Sequence, residues 1–181
     1  PRLAVIELRL ERVNRIIAVS SGKGGVGKTL VATTLAALVA ESGGRSGLLD
    51  FDFAGSSAHL ALGADGLYPH EEYGIEPPMF AGVRFMSLVH FVGESATPLR
   101  GEDVTNVITE LLAITQWGEL DVLFVDMPPG IGDTSLDAIR LLPRAEHLVI
   151  STASRMAVPV VARVLALLRE QGVPIAGIVE N

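Results

Sequence analysis

Apolar positions along the chain keep two different rhythms. Leu3, Ile6, Leu10 and Val13 recur at helical spacing, with Glu7, Arg9, Glu11 and Arg12 between them, which predicts an amphipathic helix at the amino end. Ile16-Ile17-Ala18-Val19 follows, a run short and apolar enough for a buried strand. Leu30, Val31, Leu35, Leu38 and Val39 predict the apolar face of a helix over 30–40, which Gly43-Gly44 ends. Further strands are expected over 45–50, 83–89, 121–126, 147–151 and 175–179. Further helices are expected over 55–62, over 102–116 on Val104, Val107, Ile108, Leu111 and Leu112, and over 133–142. A last one is striped by Val158, Val161, Leu165 and Leu168, with Pro159 in its first turn. Residues 63–82 are rich in glycine and proline, including Pro77-Pro78, and read as a long loop. Strands that alternate with helices predict an α/β fold, a doubly wound and mainly parallel sheet flanked by helices, with the amphipathic helix in front.

Composition narrows this picture. A length of 181 residues fits one domain over 1–181. Hydrophobic residues make up 49%, enough to cover a sheet on both faces, and aromatics only 5%, so the core is built from Val, Leu, Ile and Ala. The net charge of −7 and the lack of any Lys/Arg-rich run argue against a nucleic-acid partner. No apolar run reaches the roughly 18–20 residues of a membrane span and no signal peptide is visible, so the expectation is a cytoplasmic protein with no membrane partner. There is no cysteine, which excludes disulfides, a thiolate nucleophile and a Cys-ligated cluster within this sequence. A start at Pro1 and a stop at Asn181, at the end of a strand, read as a chain truncated at its carboxyl end.

The chemistry concentrates in Ser21-Gly22-Lys23-Gly24-Gly25-Val26-Gly27-Lys28-Thr29, placed between a predicted strand and the helix that Leu30 opens. Gly22 to Thr29 matches G-x-x-x-x-G-K-[ST], a phosphate-binding loop. Backbone N–H groups from Gly24 to Lys28 can wrap phosphate oxygens, and the helix N-terminus adds positive potential. Lys28 neutralises the outer phosphates and the Thr29 hydroxyl is a ligand for Mg2+. A second lysine, Lys23, sits at the tip of the loop, pointed away from Lys28 and able to reach a nucleotide on another subunit.

Two more predicted strands end in carboxylates, on the side where open α/β sheets bind ligands. Asp126 closes an apolar strand and is followed by Pro128, Pro129 and Gly130, the arrangement that holds Mg2+ directly or through water. Asp50 and Asp52 lie two apart, so in an extended chain their carboxylates face the same way and repel unless a metal or water network holds them. Among the histidines, His59 is the candidate for one weak metal ligand, while His70, His90 and His147 have no metal-ligand spacing.

The segments S-G-K-G-G-V-G-K-T, L-L-D-F-D-F-A-G, D-M-P-P-G-I-G-D and G-I-V-E-N together resemble the Mrp/MinD family of P-loop ATPases with a deviant Walker A loop, over nearly the whole chain. The resemblance implies a P-loop NTPase fold, ATP and Mg2+ as cofactors, slow ATP hydrolysis, and an ATP-induced homodimer to which Lys23 contributes in trans. It implies that Asp52 positions the attacking water, that Asp50 supports the Mg2+ hydration shell, and that Asn181 hydrogen-bonds the adenine ring. Residues 1–7, 54–59, 97–101 and 114–121 look similar to the archaeal HypB-type branch. That branch implies nickel delivery to [NiFe] hydrogenase with a HypA-type metallochaperone, the nickel residing mainly on the partner. The Mrp-type iron–sulfur cluster carrier is the alternative, since P-P-G-x-G-D and G-I-V-E-N look like that branch. A MinD/ParA-like positioning ATPase is the third reading.

Overall fold

The computed structural model describes residues 2–52, 57–64, 68–71, 74–87, 102–130 and 132–181. In chain order the elements are α1 (Arg2–Leu10), β1 (Val13–Ser21), α2 (Lys28–Glu41), β2 (Ser46–Asp50), α3 (Ala58–Leu62), β3 (His70–Glu71), β4 (Ile75–Glu76), β5 (Met79–Phe80) and β6 (Val83–Ser87). They continue with α4 (Glu102–Ile114), β7 (Leu120–Asp126), α5 (Asp133–Leu141), β8 (Glu146–Ser151), α6 (Ala157–Glu170) and β9 (Ile175–Glu180). The main sheet runs in the order β5-β6-β2-β7-β1-β8-β9. Every pairing in it is parallel except that of β5 with β6. The expected doubly wound, mainly parallel sheet is therefore the observed one. No described helix is long and apolar enough to cross a membrane.

Side-chain alternation along the strands divides the core in two. Ile16, Ala18, Leu49, Leu123, Val125 and Val149 face one way and pack with Ile6, Leu10, Ile108, Leu112, Ile139, Val164 and Leu168. Ile17, Val19, Leu48, Phe85, Phe124 and Ile150 face the other way and pack with Ala32, Ala36 and Ala58. Central strands buried on both faces explain why they read as unbroken apolar runs. At the amino ends of the strands an exposed ion-pair network joins Arg12 to Glu119 at 2.8 Å, Arg45 to Glu119 at 2.5 Å and Arg45 to Asp121 at 2.8 Å. It ties β1, β2 and β7 together at the end of the sheet opposite their carboxyl tips.

Several expectations change. The predicted face of α2 is buried only in part: Val31, Leu35 and Val39 pack half-buried on the core, but Leu30 is 59% and Leu38 54% exposed, and Ala32, Thr33 and Ala36 lie deepest. That helix is apolar nearly all round, so periodicity cannot choose its face, and the small residues win because they let the helix sit close to the sheet. On α6, Val161, Leu165 and Leu168 of the expected stripe pack on the core, while Val158 is exposed and Ala157 and Val164 are buried as well. Val13 belongs to β1 rather than to α1, and Leu3 is exposed.

The expected loop over 63–82 carries structure. Its β3 and β4 pair antiparallel, with His70 opposite Glu76, and β5 pairs with β6 across a turn at Ala81-Gly82. Ile75 anchors the segment by joining the core and by accepting the Gln116 N–H on its carbonyl at 2.8 Å. Strands of two residues are too short to show a period.

Candidate functional site

Neighbouring strands β2, β7 and β1 bring three chemical groups to one edge of the sheet. In register, Asp126 lies beside Asp50 on one side and beside Val19 on the other. Beyond Val19, β1 ends at Ser21 and the chain turns through Gly22 to Gly27 into α2. Gly25 has φ +75° and Gly27 φ +86°, left-handed values that L side chains rarely adopt, so the loop needs glycine at both. The Ser21 hydroxyl donates to the Lys23 carbonyl at 2.9 Å and fixes the start of the turn.

Lys28, in the first turn of α2, is buried, and its Nζ lies 2.5 Å from Asp126 Oδ1. Thr29 Oγ1 donates to Asp126 Oδ2 at 2.6 Å. A lysine, a hydroxyl and a carboxylate therefore converge at the mouth of the loop. Burial pushes the Asp126 carboxyl above its ordinary value, opposed by Lys28 and by the Thr29 hydrogen bond, with the Asp52 charge adding to the upward shift. The oxygen donors of Thr29 and Asp126 are the hard ligands that Mg2+ prefers, and their contact places both at one point, so the residues present fit that ion. No group of three or more His, Asp or Glu side chains able to hold a metal is found among the described residues.

Backbone bonds lock this edge together. Phe51 N–H donates to the Asp126 carbonyl at 3.0 Å, Met127 N–H to the Val19 carbonyl at 3.0 Å, and Gly130 N–H to the Ser21 carbonyl at 3.0 Å. The last bond brings the Pro128-Pro129-Gly130 bend over the start of the loop, and Ser135 Oγ secures it by donating to the Gly130 carbonyl at 3.0 Å.

Asp50 and Asp52 do not stand side by side on an extended strand. The strand ends at Asp50, whose buried Oδ1 accepts the Asp52 N–H at 2.9 Å, while Ser87 Oγ donates to Oδ2 at 3.4 Å. An aspartate that bonds the backbone two residues on turns the chain there. Asp52 is half-buried and close enough to Asp126 to affect its charge. Lys23 is exposed at the loop tip, as expected for an outward-reaching lysine.

Asn181 sits at the opposite end of the loop from Lys23. Its Nδ2 donates to the Val26 carbonyl at 3.0 Å, so the structure places it against the loop backbone. Two further groups escaped the sequence reading. Val160 of α6 packs on Gly22, where an added Cβ would lie 2.3 Å from Val160 Cγ1. Beneath the loop, the Ser20 hydroxyl and His147 Nδ1 are hydrogen-bonded at 2.9 Å, and burial lowers the His147 imidazole to about 4. A histidine inside an apolar strand is the only trace of that pair in the sequence. His59 is partly buried on α3 and joins no metal cluster among the described residues. Residues 54–56 and 97–101, Ile131 and His90 lie outside the described residues.

Comparison with known proteins gives a consistent picture. A family profile described as ParA, NUBPL iron-transfer P-loop NTPase, matches residues 12–181. The chain is 38% identical over 176 residues to the chloroplastic Fe-S cluster assembly factor HCF101 of Arabidopsis thaliana, covering 95% of this chain and 33% of that protein. It is 38% identical over 181 residues to the iron-sulfur cluster carrier protein of Deinococcus radiodurans, covering 98% of this chain and 52% of that protein. The chain thus spans about a third to a half of these relatives. A solved nucleotide-binding protein of Archaeoglobus fulgidus, in complex with ADP and with cobalt found, superposes with a TM-score of 0.86 at 32% identity, covering 99% of this chain and 71% of that one. These relatives correct the expectation of a HypB-type protein: they are named for iron–sulfur clusters, and neither nickel nor a HypA-type partner finds support among them. From loop to sheet order to sequence, the chain belongs to the NUBPL iron-transfer P-loop NTPase family.

Proposed function

We propose that residues 1–181 form one Mg2+-dependent, ATP-binding and ATP-hydrolysing unit that drives iron–sulfur cluster handling. The observation that carries the nucleotide part is the convergence of Lys28 and Thr29 on Asp126, at 2.5 Å and 2.6 Å, at the mouth of a glycine loop. The names of the relatives carry the iron–sulfur part. The sequence contains no cysteine, so thiolate ligands to a cluster come from other polypeptide, and the contribution of this unit is the nucleotide cycle. The cytoplasmic expectation stays part of the proposal.

In this reading the loop N–H groups from Gly24 to Lys28 cradle the phosphate chain of ATP, and Lys28 leaves Asp126 to neutralise the outer phosphates. Thr29 and Asp126 would hold Mg2+, with Asp50 supporting its water shell; when bound, the ion would supply Lewis-acid stabilisation of phosphate charge. Asp52 orients the attacking water. The exposed Lys23 crosses to the nucleotide of a second copy, so hydrolysis is coupled to homodimer formation.

Calorimetric titration with Mg-ATP, followed by phosphate release, tests the reading. Saturable binding and slow turnover, both sharply reduced in Lys28→Ala, are expected. Absence of Mg-ATP binding overturns the proposal. The client is tested with the complete protein, by asking whether transfer of a cluster to an acceptor depends on hydrolysable ATP. Equal transfer with and without ATP would remove the iron–sulfur part.

A further inference from the structure

Gly22 and Gly27 bracket the phosphate loop, and different neighbours hold the two ends. At Gly22 the grip is packing, since an added Cβ would lie 2.3 Å from Val160 Cγ1 and 3.2 Å from Val164 Cγ2. At Gly25, by contrast, nothing lies within 4 Å of where a Cβ would be, and φ is +75°. The exposed Gly24-Gly25 stretch has many conformations to lose when it wraps a ligand, and beyond it Val26 buries its side chain in the core. Burial of the Val26 side chain holds the far end on its apolar side and leaves the Val26 carbonyl in need of a polar fixture.

Asn181 supplies that fixture. Its Nδ2 donates to the Val26 carbonyl at 3.0 Å, one residue before the left-handed Gly27. The approach is so close that a Cβ at Gly27 would lie 2.2 Å from Nδ2, so glycine there serves Asn181 as well as the turn. The amide is itself well placed. Its backbone N–H donates to the Ser151 carbonyl at 3.0 Å, and Glu180 pairs with Ser151 in the β8–β9 ladder. Because the Val26 carbonyl only accepts, the side chain cannot flip without opposing two oxygens.

We infer that Asn181 is a positioning residue for the phosphate loop: by holding the Val26 carbonyl it sets the backbone that binds the phosphates, independently of any contact with the base. This rests on the nucleotide reading above. The ligand class is a polyphosphate chain with Mg2+, and the effect appears even when no base or sugar is attached.

The experiment titrates Mg2+ with inorganic tripolyphosphate, and separately Mg-ADP, into wild type, Asn181→Ala and Asn181→Leu. Leucine has nearly the shape of asparagine without the donor, and neither variant adds charge. Both should bind tripolyphosphate about 3- to 10-fold more weakly than wild type, the weight of one hydrogen bond. The backbone amide resonances of Gly27 and Lys28 should shift in both variants before any ligand is added, while resonances of β2 and β6 stay in place. Tripolyphosphate affinity within two-fold of wild type in both variants overturns the inference, even if ADP affinity falls, because Asn181 would then act on the base alone. Failure of wild type to bind either ligand would overturn the nucleotide reading itself.

Discussion

Lys28 and Asp126 form an ion pair with almost no solvent around it, and Thr29 Oγ1 donates to the second carboxylate oxygen. Replacing Lys28 by alanine takes the counter-charge from a buried carboxylate, which pushes its proton affinity up further. Lys28→Ala should therefore weaken Mg-ATP binding by about 10- to 100-fold, the weight of a charge-assisted hydrogen bond. Fluorescent-nucleotide titration measures this, and unchanged affinity would remove Lys28 from the phosphate site. Asp52 makes a different prediction because it lies beside the Lys28, Thr29 and Asp126 cluster rather than within it. Asp52→Asn should keep Mg-ATP affinity within a few-fold and lower single-turnover hydrolysis by about 10²- to 10⁴-fold, the range of a lost general base or water-orienting group. Hydrolysis at the wild-type rate would show that another group orients the water. Both residues were legible in the sequence because the motifs fix their spacing. The Asp50 turn was not, since a carboxylate that bonds its own backbone leaves no spacing signature.

Elements differ in how much of themselves they reveal. The central strands were plain, because burial on both faces demands unbroken apolar runs such as Ile16-Ile17-Ala18-Val19. The deepest positions of α2, Ala32, Thr33 and Ala36, were hidden by its uniform apolarity, and β3, β4 and β5 by their length. The turn between β5 and β6 carries a local cost that sequence alone does not display. Ala81 has φ +46° and Gly82 φ +80° in a two-residue connection, where asparagine followed by glycine is the favoured pair. A left-handed alanine is disfavoured by about 1 kcal/mol. Ala81→Asn should raise the thermal midpoint by about 2–4 °C, as a gain of that size does in a protein of this length. A midpoint unchanged or lowered would mean that the turn is not strained in solution.

Across the whole molecule, acid and site are linked through the core. Burial lowers His147 from the ordinary 6.5 to about 4, so the folded protein refuses a proton that the unfolded chain accepts. The contribution of His147 to stability is therefore complete above pH 6.5 and is lost progressively as pH falls toward 4. The raised Asp126 acts with the opposite sign, favouring the fold as pH falls toward its unfolded value. Comparing wild type with His147→Leu separates the two. The difference in unfolding free energy between the proteins should change by about 3 kcal/mol from pH 7 to pH 4, with wild type losing more. Parallel denaturation curves at both pH values would show that His147 is not buried neutral. The contact of Gly22 with Val160 has a consequence of its own. With no room between them, the Gly22 end of the loop cannot shift toward α6, which makes that end the fixed point of the glycine run. The same end of the loop also holds the Met127–Gly130 bend, through the Gly130 N–H and the Ser21 carbonyl at 3.0 Å, so α6, the loop entry and the bend are coupled at one point.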